Sequence, residues 1–353
     1  MRARRFGVTL ALTVASAAVV LGAAACGGDD KSSSGSGTGT AAGGSGSDFT
    51  IGLVSDVGKF NDRSFNQSAL EGLDRAASEL GVKKNAIESA AAGDYVPNLT
   101  NLARKKTSLT IGVGFLMADG IDTVAQKFPD ANFAIVDFSQ TALKHKPKNV
   151  RGLTFATNEN SYLVGYLAAK MAEKKNPDAP VISAVGGMKI PTVEIFIAGY
   201  KAGAEAANPK TKVLIGYSQD FVAQDKCKEL ALNQIQQGSQ VVFQVAGGCG
   251  LGALSAAKEK KVWGVGVDRD QSDLGPHILT SAVKRVDVAV FDSSKDVVEG
   301  NFEGGDKTYD LKSGGVGLGK FSPDVPQDLQ DELKGLEKKI TDGEIKDIPT
   351  TVS

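Results

Sequence analysis

IGLVSDVGKFNDRSFNQSALEGL, residues 51–73, reads as a strand, a turn and the start of a helix. The apolar run Ile51, Leu53 and Val54 suits a buried strand, and it stops at a carboxylate, Asp56. Gly58 permits a sharp turn. From Phe65 the apolar residues recur at Ala69, Leu73, Ala76 and Leu80, the three-and-four spacing of one helix face, so a helix is expected over 64–80. Asp56, Phe65 and Asn66 therefore fall at the carboxyl end of a strand, where open α/β sheets bind ligands. A carboxylate, an aromatic face and an amide together suit a ligand with hydroxyls and a flat polar ring. Read locally, the same residues also fit a structural turn, with Asp62 or Ser64 capping the helix and Phe65 in the core.

Outward from this unit the alternation repeats. Strands are expected at 49–54, 109–115, 133–137, 152–155, 181–185, 213–217, 241–245 and 262–267. Helices are expected at 64–80, 97–106, 120–127, 161–174, 193–207, 226–237, 250–260 and 283–298. Such alternation implies parallel sheets covered by helices, an α/β fold. The cycle restarts near residue 158, so two units stand in tandem. Residues 308–319 read as strand and turn and 323–340 as a terminal helix, which returns the chain after both units are complete. The expected lobes are 49–157 plus about 281–307, and 158–280 plus about 308–353.

The first residues read as a targeting segment. Arg2, Arg4 and Arg5 precede an apolar run, and small residues lead to Cys26, so 1–25 is expected to be a secretory signal. A cysteine directly after Ala23-Ala24-Ala25 resembles a bacterial lipobox, with Ala23 where leucine is usual, and makes Cys26 the expected lipidation site. An uncleaved membrane anchor is the alternative. Residues 27–48, rich in Gly and Ser, hold almost nothing that could build a core and suit a flexible tether spanning roughly 25 Å r.m.s.. The expected location is the outer face of the cell membrane. Loss of the three arginines takes the formal charge from −1 to −4, which gives no reason to expect nucleic acid as a partner. Cys227 and Cys249 are the remaining cysteines, and an even pair in an exported chain favours one disulfide over two buried thiols.

Three carboxylates end expected strands: Asp56, Asp137 and Asp268. Any one alone suits a turn or a helix cap; three spread over both units point to a shared cleft. Such a cleft repels anions and accepts hydrogen bonds from hydroxyls or ring N–H groups, each worth roughly 1.5–3 kcal/mol. The loop 246–252, AGGCGLG, follows a strand and opens a helix, allowing close backbone approach, but lacks dinucleotide spacing. Residues 314–320, GGVGLGK, match a Walker A spacing up to the lysine, yet Phe321 stands where Ser or Thr should hold magnesium. Signs of catalysis are few. The two histidines, His145 and His277, read as exposed loop residues, and neither GxSxG nor HExxH occurs. No cofactor and no metal site is expected.

Ordered motifs carry a family resemblance. They are Asp56-Val57-Gly58 with 62–68 (DRSFNQS); 152–155 (GLTF) with 162–168; and Gly186-Gly187-Met188 with Phe196 and Gly199-Tyr200. They continue with 243–248 (FQVAGG), 266–271 (GVDRDQ) and 280–285 (TSAVKR). Together they resemble the basic membrane protein lipoproteins, the purine-nucleoside-receptor type of ABC-transporter substrate-binding protein. The resemblance implies a two-lobed type I periplasmic-binding-protein fold closing on a nucleoside, purine by preference, with no enzymatic activity. Phe65 and Phe221 would stack on the base, Asn66, Asp56 and Asp137 would read its edge, and Asp268, Lys284 and the Gly247-Gly248 backbone would hold the ribose. Cys249 and Cys227 stand where the family more typically has Thr and Gly, respectively. The implied partners are an ABC permease and its ATPase; the receptor itself would be a monomer touching the membrane only through its lipid. The alternative is an extracytoplasmic sensor of a nucleoside or sugar-like ligand without a transport role.

Overall fold

The computed structural model describes residues 48–352. The expected signal segment 1–25, Cys26 and all but the last residue of the tether lie outside them.

Short apolar runs become strands and amphipathic runs become helices, in strict alternation. The chain begins β1 (Thr50–Val54), α1 (Phe65–Leu80), β2 (Lys83–Ile87), α2 (Tyr95–Arg104), β3 (Leu109–Val113), α3 (Ala118–Lys127), β4 (Phe133–Val136) and β5 (Val150–Phe155). It continues α4 (Thr157–Glu173), β6 (Val181–Gly186), α5 (Pro191–Ala207), β7 (Lys212–Tyr217), α6 (Gln224–Gln236), β8 (Val241–Val245), α7 (Gly250–Glu259) and β9 (Trp263–Asp268). The last elements are β10 (Ile278–Lys284), α8 (Val286–Val298), β11 (Gly305–Tyr309), β12 (Val316–Leu318) and α9 (Gln327–Thr341).

Two six-stranded sheets result, in the orders β11-β5-β4-β3-β1-β2 and β12-β10-β9-β8-β6-β7. Every pairing is parallel except β10 with β12. Strands β1, β3, β4 and β8 are buried on both faces, as sheets sandwiched by helices require. This is the two-lobed α/β arrangement expected from the alternation. One apolar core joins the inner helices of both lobes, while separate cores lie under α2 and α3 and under α6 and α7. Helices α4 and α5 cross backbone to backbone: a Cβ on Gly203 would stand 1.9 Å from the Tyr162 carbonyl oxygen.

Three segments pass between the lobes: β5 to α4, β10 to α8, and β11 to β12. The approximate returns at 281 and 308 therefore move. Residues up to Lys284 stay in the second sheet and those up to Tyr309 in the first, because the strands run to their full pairing length before the chain crosses. Helix α8, expected from 283, starts at Val286 for the same reason.

Cys227 on α6 and Cys249 before α7 form a disulfide with Cα atoms 5.6 Å apart. It ties the glycine loop after β8 to the neighbouring helix. Cross-linking across a separation of 22 residues restricts the unfolded chain by about 3 kcal/mol. The Cys227→Ala/Cys249→Ala variant should lose about that much in a urea titration. An unchanged midpoint would mean the bond constrains nothing.

Candidate functional site

In each sheet the strand order reverses once, between β1 and β3 and between β6 and β8. Loops leaving the strands at such a point turn in opposite directions and open a crevice at the carboxyl edge. Asp56 and Gly114 stand at the first reversal, Gly187 and Ala246-Gly247 at the second. The two crevices form one cavity of roughly 600 Å³, its mouth included. Asp56, Phe65, Asn66, Asp137, Phe221, Gly247, Asp268 and Lys284 all line it. Gly248 is set back from the wall, beside the Phe221 carbonyl and the Asp62 side chain.

The wall also holds residues the sequence reading passed over: Gly114, Phe115 and Leu116 after β3, and Ile190, Thr192 and Val193 at the start of α5. Phe196, one turn further, was noted only as part of a motif. Pro191 at the first position of α5, just after Gly186-Gly187, was the available signal, since it marks a second strand–turn–helix like the first.

Asp62 builds the entrance to α1. Its carboxylate accepts from the backbone N–H groups of Ser64 (2.9 Å), Asn66 (2.9 Å) and Gln67 (3.1 Å). Ser64, read as a possible cap, does something else: its hydroxyl donates across the cleft to Asp268, at 2.6 Å. The Asn66 amide is largely committed. Its Nδ2 donates to Asp56 (2.7 Å) and Asp62 (2.9 Å), and its Oδ1 accepts from the Asp56 N–H (3.1 Å). Asn66 thus orients the Asp56 carboxylate, which also accepts from the Gly58 N–H at 2.7 Å.

Lys284 ends β10 buried, with Nζ 2.5 Å from the Asp137 carboxylate at the end of β4. Three rings surround its ammonium, Phe65 at 4.8 Å, Phe155 at 5.0 Å and Phe196 at 5.6 Å to the centroids, a geometry in which ring quadrupoles attract a cation. Asp137 and Lys284, assigned by resemblance to opposite ends of a ligand, are thus partners of one another. Asp137 (φ 69°) and Asp268 (φ 63°) both adopt left-handed backbone, uncommon outside glycine and frequent at sites that aim a side chain.

Burial pushes the Asp56 carboxyl up to about 6; Asp62 and Asp137 add to this, while Gly58 and Asn66 oppose it. Asp268 is likewise pushed up to about 6 by burial, against the pull of Lys284 and Ser64. Asp137 is raised by burial and held back by Lys284. Carboxyls that titrate higher in the folded chain bind more protons there, so their contribution is fully favourable below the ordinary value of 3.8 and lost as pH rises towards 6. Calorimetry should therefore give the unliganded protein a higher Tm at about pH 5 than at about pH 7, with the difference reduced in Asp56→Asn/Asp268→Asn.

The site offers carboxylate acceptors, aromatic faces from both lobes and a neutralised lysine. Among the described residues no cluster of three or more His, Cys, Asp or Glu side chains is arranged to hold a metal. The histidines stand apart from the cavity; His145 is exposed and pairs with Asp122, whereas His277, expected exposed, is half-buried between β9 and β10.

Residues 49–349 match the family model described as "ABC transporter substrate-binding protein PnrA-like" (Bmp). The chain is 36% identical to the "CD4+ T-cell-stimulating antigen" of Listeria innocua, over 98% of this chain and 99% of that one. It is also 36% identical to the "ABC transporter nucleoside-binding protein BmpA" of Lactococcus lactis subsp. cremoris, over 85% and 89% of the two chains. A crystal structure of an ABC-transporter solute-binding protein from Aeropyrum pernix K1 superposes with a TM-score of 0.78 at 30% identity, covering 85% of this chain and 94% of that one.

Proposed function

The chain belongs to the Bmp family of ABC-transporter substrate-binding proteins, is therefore a binding protein and not an enzyme, and we propose that its ligand is a nucleoside, purine by preference. The observation that carries this reading is the composition of the cavity wall: carboxylates from both lobes with two phenylalanines from each. Stacking contributes about 1–3 kcal/mol per base without choosing among bases, so Asp56, oriented by Asn66, is the group to select the base edge. Asp268 and the Gly247 backbone would receive the ribose hydroxyls, with Asp137 and Lys284 acting as one neutral pair. A Lactococcus relative named as nucleoside-binding supports the class of ligand. Arg2 to Cys26 support export and lipid anchoring, and the family supports delivery to an ABC permease and ATPase; the receptor is proposed to act as a monomer.

A thermal-shift panel tests the class. Ligand at about a thousandfold over Kd stabilises by about 4 kcal/mol, a shift of several degrees. Purine nucleosides should produce it and free sugars should not; the reverse pattern would remove the proposal. Gly187 provides a second check on stacking. A Cβ there would stand 2.3 Å from the Phe221 ring, so Gly187→Ala must displace that ring. Nucleoside affinity should fall about tenfold, within the range for one stacking face, with little change in Tm.

A further inference from the structure

All six strands of the first sheet are parallel, so their amino ends share one edge, opposite the cleft. Basic side chains gather there. Lys83 starts β2, Arg104 ends α2, Lys105 and Lys106 precede β3, Lys127 ends α3, and Lys148 precedes β5. All six are exposed, and none forms an ion pair with another described residue, whereas neighbouring Lys84 is held by Asp74. Helix dipoles explain cations at the ends of α2 and α3. They do not explain Lys83 on a strand or Lys148 in a loop. Phe49, where the chain enters β1, lies on the same edge and shares a groove with Lys106, Lys127 and one carboxylate, Asp130.

We propose that this edge is a docking face for anionic lipid headgroups, which rests on the lipid anchoring proposed above. The tether enters the body at Phe49, on the basic edge, so lipidation of Cys26 would tie this edge to the membrane. Each cation brought to an anionic surface raises partitioning about fivefold, but only within a Debye length of about 8 Å. The cleft, with its carboxylates, lies on the opposite edge of the same sheet and faces away from that surface.

The experiment is co-sedimentation of the body from residue 49 onward, which contains both sheets and all their cores, with two kinds of vesicle. One is equimolar phosphatidylglycerol and phosphatidylcholine, the other phosphatidylcholine alone. Binding to the anionic vesicles is expected at low salt and not at high salt. Exchange of Lys105, Lys106, Lys127 and Lys148 for Gln should weaken it at least about tenfold, with nucleoside binding unchanged. Absence of binding, equal binding to phosphatidylcholine, or a loss produced instead by Lys210→Gln/Lys212→Gln/Lys261→Gln on the second lobe would each overturn the assignment. The anchor is tested separately: Cys26→Ser in the full chain should release the protein from cells whatever the vesicles show.

Discussion

Asp268→Asn is expected to weaken ribonucleoside binding about a hundredfold while changing the affinity for free bases less than about threefold, the loss of one or two charge-assisted hydrogen bonds. The carboxylate is buried, ends β9 and already accepts from Ser64. A ribose hydroxyl would be a further donor to the same group, and an amide is a poorer acceptor than a carboxylate. Asparagine is the informative substitution because it tolerates the left-handed backbone at this position; alanine would add conformational strain to the lost bond. Calorimetry with a nucleoside and its free base separates the two effects. Equal losses for both would show that Asp268 does not read the sugar.

Lys284→Met should be the most destabilising single change in the cleft. It fits among the three rings but leaves Asp137 buried without its cation, a loss of about 3–5 kcal/mol when the carboxyl stays ionised. Asp137 is already raised by burial, so at low pH it can take up a proton and escape much of that cost. The destabilisation should accordingly be large above neutrality and shrink as pH falls. Lys284→Met/Asp137→Asn should recover most of the loss, because both charges are then gone. Urea titrations of the four proteins form the cycle, and losses that simply add would show that the pair is not coupled.

These two residues also mark how far sequence reading reaches. Asp56, Asp137 and Asp268 were legible because each ends an apolar run, and a strand's carboxyl edge is where α/β sheets open. Phe65 was legible as the start of a helix face. The partners were not. Ser64 meets Asp268 across a separation of 204 residues and Lys284 meets Asp137 across 147, contacts made by the crossing of chain between lobes. The single strand expected within 308–319 is two, β11 and β12, one in each sheet, and strands β2 and β10 were missed for different reasons. β2, KKNAI, is a mostly exposed edge strand with no apolar run, placed by its pairing with β1. β10, ILTSAVK, mixes polar and apolar side chains because it ends in the site, and its last residues were absorbed into the following helix. Helix α2 starts at Tyr95, not at Pro97, since proline is tolerated in a first turn whose N–H groups have no intrahelical partner.

The most direct test of the central claim is calorimetric titration of the soluble body with inosine, guanosine and adenosine, set against ribose and the free bases. One nucleoside per chain is expected, with micromolar or tighter affinity for at least one purine nucleoside and much weaker binding of either half alone. Saturable binding of ribose or another sugar, with none of any nucleoside, would contradict it.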